Sequence, residues 1–84
     1  MYYDVVEAKV LEHLVFTVRF ADGLTGRVVI LPSHLRGVFG PLADPARFRE
    51  LRVTDGFVSW PDEIDLAPDA MYAAIRDHSE WILS

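Results

Sequence analysis

The chain has no cysteine and no long apolar run among its 84 residues. Without cysteine it can form neither a disulfide bond nor a cysteine-ligated zinc site. No apolar stretch approaches the roughly 18–20 residues that a membrane-spanning helix needs. The opening Met-Tyr-Tyr-Asp lacks the basic and then apolar order of a signal peptide, so we expect a cytoplasmic protein.

The chain is long enough for only one domain, which covers residues 1–84. Apolar residues make up 51% of it and charged residues 25%, which is too apolar for a disordered chain. A chain of this length buries only about 60–65% of the surface that its unfolded form exposes. The core must therefore stabilise the fold alone or with apolar cover from a second copy, which keeps a homodimer open.

Positive charge is scarce at the C-terminal end. Residues 1–60 hold seven basic and seven acidic side chains, whereas residues 61–84 hold six acidic ones against Arg76 alone, which accounts for the net charge of −5. We expect no nucleic-acid binding, because this end repels phosphate and no basic stripe compensates. The acidic end either attracts a basic protein by electrostatic steering or only solubilises the domain and complements a helix dipole.

Alternating apolar residues in the first 30 positions predict three antiparallel strands in a meander. Asp22-Gly23 is typical of the turn that closes the hairpin between the second and third strands. The side chains predicted to face the core are Val6, Ala8 and Val10, then Leu14, Phe16, Val18 and Phe20, then Leu24, Gly26, Val28 and Ile30.

The remaining sequence predicts a second hairpin and two helices. Asp44-Pro45 provides a cap and a first helical residue for a short helix, and Asp55-Gly56 closes a hairpin of residues 52–60. From Pro68 to about Leu83 the apolar period is 3.6, which predicts an amphipathic helix with His78 and Ile82 on its apolar face. The predicted fold class is α+β: a three-stranded antiparallel meander plus a short second hairpin, one short helix and a C-terminal amphipathic helix packed on the sheet.

No group of residues matches a catalytic or metal-binding motif, so we expect no enzymatic activity, no cofactor and no metal. His13, His34 and His78 lack the close spacing of metal ligands, and Ser33 lacks the glycine frame of a nucleophile elbow. The carboxylates of residues 62–69 lack the alternation of a calcium loop, although a weak cation site there stays open.

The stretch from Trp60 to Tyr72 resembles the end-of-domain signature of a family of small prokaryotic proteins, the domain of unknown function 2442. The matching residues are Trp60, Pro61, Asp62, Asp65, Leu66, Pro68, Asp69 and Tyr72. Upstream features also fit, so the resemblance spans nearly all of residues 5–72. Glu63, Ile64 and Ala67 depart from the signature, which has glycine and alanine in the turn and often a capping aspartate.

The resemblance implies an α+β fold and no known catalytic residues. It also implies a gene beside that of another small protein, an arrangement similar to toxin–antitoxin pairs. We therefore expect a non-enzymatic protein-interaction domain, antitoxin-like, that binds a small basic protein encoded nearby. Aromatic residues concentrate at interface centres, and the carboxylates of residues 61–84 would attract a basic partner. The expected contacts are therefore five residues of this end: Trp60, Asp62, Asp65, Asp69 and Tyr72. The alternative is a homodimeric accessory domain that binds a small molecule or divalent cation.

Overall fold

Two β-sheets and two α-helices form the fold, in a computed structural model that describes residues 1–84. One sheet has the order β1-β2-β3-β7 and the other β4-β5-β6. Neither helix is long and apolar enough to cross a membrane. The elements are β1 (Val5–Glu12), β2 (Val15–Phe20), β3 (Thr25–Ile30), 3₁₀ segments at Pro32–His34 and Gly37–Ala43, α1 (Pro45–Phe48), β4 (Arg52–Thr54), β5 (Phe57–Trp60), β6 (Ile64–Asp65), α2 (Pro68–His78) and β7 (Glu80–Leu83).

The predicted α+β class and the antiparallel meander of β1, β2 and β3 are confirmed. The Asp22 carboxylate accepts a hydrogen bond from the Leu24 N–H at 3.0 Å, and Gly23 takes a φ of 94°, which only glycine adopts without strain. The turn chemistry of this Asp-Gly pair therefore fixes the register of β2 against β3.

The prediction that Val6 faces the core is wrong. The pairing of β1 with β2 shifts register between Val5 and Glu7, so Val5 is 2% exposed and Val6 is 47% exposed. An extra residue in one strand moves its neighbours to the opposite face, which simple alternation cannot anticipate. Beyond this bulge, Ala8 and Val10 lie on the core side as predicted.

The predicted helix of residues 68–83 is more than one turn longer than the observed helix α2. Helix α2 ends at His78, and Ser79 adopts a left-handed φ of 63° while its N–H donates to the Ile75 carbonyl at 2.7 Å. The chain then forms β7, which pairs parallel to β3 and adds a fourth strand. Consequently His78 and Ile82 are exposed instead of facing the core.

The smaller sheet packs against β1 and closes the core. The predicted hairpin of β4 and β5 is confirmed, and β6 adds a third, two-residue strand. The Val5 N–H donates to the Gly56 carbonyl at 2.8 Å, which joins the tip of this hairpin to β1. Val58, Trp60 and Ile64 then point into the core that both sheets share.

Helix α2 crosses the core face of the larger sheet in very close contact with β3. Its Met71 and Ile75 are 0% and 1% exposed. A Cβ added at Gly26 would lie 2.4 Å from the Ile75 Cγ2 and 3.0 Å from the Ser79 carbonyl oxygen. The side chain at position 26 must therefore be a hydrogen atom for α2 to pack at this distance.

We predict that Gly26→Ala destabilises the fold by about 1–3 kcal/mol, because the added methyl group overpacks the contact with Ile75. Urea unfolding followed by circular dichroism measures the change. Gly40→Ala is the matched control, since a Cβ there meets no atom within 4 Å and its φ is not positive. Equal stability of the two variants would contradict the close-contact explanation.

Candidate partner-binding surface

Trp60, the first of the five predicted contact residues, lies inside the core. It is 1% exposed, and its Nε1–H donates to the Phe48 carbonyl at 2.9 Å. Its ring packs edge-on to Phe16 and tilted against Phe48, at centroid distances of 5.9 and 5.7 Å. The expectation of direct partner contact at Trp60 is therefore corrected: this side chain supports the surface from beneath.

Asp62 lies in the turn between β5 and β6, where it is exposed but not free. Its carboxylate accepts a hydrogen bond from the Arg47 guanidinium of α1. Asp62 and Glu63 take left-handed φ values of 70° and 62°. The signature of the family that the sequence resembles has glycine at position 63, the residue type that adopts this conformation without strain.

Asp65 projects from β6 onto the outer face of the smaller sheet. Strand pairing places Arg52, Ser59 and Asp65 in one row across the three strands. This row lines a shallow groove together with Phe57 and Glu63. Asp65 is exposed, and no cationic nitrogen lies within 4 Å of its carboxylate.

Asp69 lies in the first turn of α2, where its negative charge complements the helix dipole. It is exposed, and the nearest polar contact of its carboxylate is the N–H of Ala70 at 2.9 Å. The cap position is Ala67, which offers no side-chain hydrogen bond, as the sequence predicted. Asp69 thus shares with Asp65 an exposed carboxylate that has no cationic partner.

Tyr72, the last predicted contact residue, joins α2 to the turn between β2 and β3. Its hydroxyl donates to the Asp22 carboxylate at 2.5 Å, and its ring packs edge-on to Phe20 and Tyr2 at 5.0 Å. The sequence identified Asp22 only as a turn residue, since no local pattern shows a contact across 50 positions. Tyr72 is half-buried, so part of its ring remains available at the surface.

The hydrogen bond between Tyr72 and Asp22 shifts the pKa values of both groups. It lowers the pKa of Asp22 below the usual 3.8, with a smaller contribution from the Leu24 N–H, because both donors stabilise the ionised carboxylate. The same bond raises the pKa of Tyr72 above 10.0, because the hydroxyl must keep its proton to donate it. The pair is therefore a neutral donor on a charged acceptor across the neutral pH range.

The largest concave surface lies away from the predicted residues. It is a half-open groove of about 610 Å³ along the free edge of β1, facing α1. Phe48, Arg49 and His13 are among its lining residues, and His13 Nε2–H donates to the Leu42 carbonyl at 3.0 Å. No group of three or more His, Asp or Glu side chains lies close enough together to hold a metal ion.

The fold defines a small α+β domain with an acidic surface around β6 and the start of α2. A family model described as "Protein of unknown function (DUF2442)" matches residues 5–77 of the 84-residue chain. The chain belongs to this family. No curated protein and no solved structure matches it.

We predict that Glu63→Gly stabilises the protein by about 0.5–1 kcal/mol. Glycine relieves the cost of a left-handed backbone, and its greater freedom in the unfolded chain offsets part of that gain. Glu63→Ala removes the same carboxylate but keeps a Cβ at this φ, so it serves as the control. A gain of the same size for both variants in urea unfolding would assign the effect to charge instead of backbone strain.

We predict that the stability lost in Tyr72→Phe depends on pH at both ends. The lowered pKa of Asp22 contributes stability above pH 3.8 that is lost as the pH falls through its folded value. The raised pKa of Tyr72 contributes stability below pH 10.0 that is lost as the pH rises through its folded value. Thermal unfolding from pH 2 to 11 measures the difference. Tyr72→Phe should melt at a lower temperature than the wild type near neutral pH, and the two melting temperatures should converge as the pH passes below the folded pKa of Asp22 or above that of Tyr72.

Tyr2→Phe is the control for this measurement, because Tyr2 also lies on this surface but its hydroxyl makes no hydrogen bond within the protein. Its melting temperature should follow the wild type at every pH. A constant difference between Tyr72→Phe and the wild type at all pH values would exclude the Asp22 hydrogen bond as the cause.

Proposed function

We propose that this domain is a non-enzymatic protein-interaction module that docks a basic protein partner on its acidic surface. Three exposed carboxylates without a cationic partner define that surface: Glu63, Asp65 and Asp69. The other acids of the C-terminal end are neutralised within the chain, since Asp62 pairs with Arg47, Asp77 with Arg76, and Glu80 with Arg27. This concentration of uncompensated charge carries the proposal.

The setting of these carboxylates supports binding to a macromolecule. They follow one another within seven residues, on a turn, a short strand and the first turn of a helix. Asp65 and Glu63 border a shallow groove whose lining includes the half-buried Phe57. A charged rim around partly apolar surface is the composition of a transient protein interface, where the charges accelerate association and align the partners.

Tyr72 adds a half-buried aromatic ring next to this surface, whereas Trp60 holds the turn in place from inside the core. The partner is, in this proposal, a small basic protein encoded in the neighbouring gene, met in the cytoplasm, and the domain acts in an antitoxin-like manner. Support for a genetic neighbour comes from the family resemblance and not from the structure.

Charge reversal tests this proposal directly. We expect Asp65→Lys/Asp69→Lys to weaken binding of the co-expressed neighbouring gene product by about tenfold or more at low salt, and by less at high salt. Affinity capture followed by titration calorimetry measures the change. Glu50→Lys/Asp55→Lys is the matched control, because both residues are exposed and unpaired but lie outside residues 61–84 and outside the larger sheet.

Asp69→Lys also opposes the dipole of α2, so the thermal midpoint of the double variant must be measured beside its affinity. Asp65→Lys alone lies outside any helix and preserves the test if the double variant unfolds. Equal loss of binding in the control pair, or full binding by the charge-reversed variants, would overturn the proposal.

A further inference from the structure

The outer face of the larger sheet, opposite α2, carries an apolar row that lies outside the core. Strand pairing aligns Val15, Val29 and Ile82 across β2, β3 and β7. These residues alternate with Phe16, Val28 and Trp81, which face the core, so the row points away from it. Ile82 is 52% exposed, and Val15 and Val29 are half-buried.

Two leucines extend this row, one on β1 and one directly after β3. Leu11 lies at the second bulge of β1, is 59% exposed and lines the same outer groove as Thr17 and Arg27. Leu31 continues β3, donates its N–H to the Leu83 carbonyl and is 37% exposed. We call these five residues the outer apolar row: Leu11, Val15, Val29, Leu31 and Ile82.

The charges beside the outer apolar row sum to zero, unlike those of the rest of the molecule. Two ion pairs cross strands on this face, Arg27 with Glu80 at 2.6 Å and Arg19 with Glu7 at 4.0 Å. Lys9 and Glu12 complete the set, again with opposite signs. The −5 net charge therefore lies elsewhere, and two copies of this face can meet without like-charge repulsion across the contact itself.

We infer that the chain forms a symmetric homodimer in which the outer apolar rows of two copies pack face to face. A basic or an acidic partner would gain no net electrostatic attraction from a face whose charges are already paired, whereas an identical face would meet it with the same apolar row and no net charge. Closed two-fold symmetry is the commonest arrangement of soluble homo-oligomers and uses one surface patch twice.

A stable dimer sets the area that the outer face would have to bury. A standard interface buries about 800 Å² on each partner, which is about one sixth of the 4847 Å² surface of this chain. The outer apolar row forms the centre of such an interface, and the paired charges of β1, β2, β3 and β7 form its polar rim. Such an interface would also bury further apolar side chains of a small domain that has no disulfide bond.

Sedimentation equilibrium on the purified chain alone tests the dimer. We expect a mass near twice 9.5 kDa at the upper end of a range from about 1 µM to 1 mM. Leu11→Lys and Ile82→Lys, made separately, should each weaken the dimer about tenfold or more, because each buries an unpaired charge at the interface. Both side chains are more than half exposed in one copy, so the fold tolerates the change.

Val38→Lys is the control, because Val38 is 65% exposed but lies on the second 3₁₀ segment, outside the sheet. Leu11→Lys separates face packing from edge-to-edge pairing of β7, since β1 is at the opposite edge of the sheet. A monomer at every concentration would overturn the inference, and so would a dimer that resists either lysine. The neighbouring gene product is absent from this experiment, so its result is independent of the proposed partner.

Discussion

The burial of Trp60 is the constraint on which the rest of the structure depends. An indole N–H left without an acceptor in the core costs about 1–3 kcal/mol, and here the Phe48 carbonyl at the end of α1 accepts it. The ring simultaneously contacts Phe16 on β2. One side chain therefore fixes the smaller sheet, the short helix and the larger sheet relative to one another. The turn of residues 61–63 and strand β6 begin directly after this fixed point, so the acidic surface is held by the core.

The larger sheet uses its two faces differently. On the inner face, Gly26 removes a side chain so that Ile75 of α2 reaches the backbone of β3. Phe20, Val28 and Ile30 are buried on the same face of the sheet. On the outer face, Val15 and Val29 are half-buried and Ile82 is exposed, and none of the three belongs to the buried core. A small domain has too few residues for a second layer on both sides, which is the physical reason that a second copy is proposed there.

Much of the fold could be predicted from the sequence where local chemistry determines it. The meander, the Asp22-Gly23 turn, the Asp44 cap of α1 and the weak Ala67 cap follow from alternation and turn preferences within a few residues. Strand β7 could not be predicted, because its partner is β3, more than 50 positions earlier. Its four residues also continue the apolar period of α2 by chance, so the sequence pattern alone shows no end to the helix. The exposed Val6 has the same kind of cause, since only the pairing with β2 reveals the bulge.

The exposure and pairing of the candidate surface residues could be predicted only in part, for a similar reason, and their role in binding stays a prediction. Composition locates the acidic end of the chain. The preference of tryptophan and tyrosine for interfaces predicts that the aromatic residues there contact a partner. Burial separates them: Trp60 reaches the core and Tyr72 bonds to Asp22, whereas Asp65 and Asp69 remain exposed. Ion pairs between distant elements, such as Arg47 with Asp62, decide which carboxylates keep their charge uncompensated, and no sequence spacing reveals them.

The distribution of paired and unpaired charge gives the domain two surfaces of different physical character. Cross-strand ion pairs neutralise the face around the outer apolar row, and attraction there would depend on apolar area, which added salt does not screen. The carboxylates of Glu63, Asp65 and Asp69 lack such pairs, and attraction there would weaken as salt rises. The first surface lies on the larger sheet and the second on β6 and the start of α2. Self-association and partner docking, as proposed, therefore draw on separate residues and separate forces, so a dimer does not consume the charge that the partner would need.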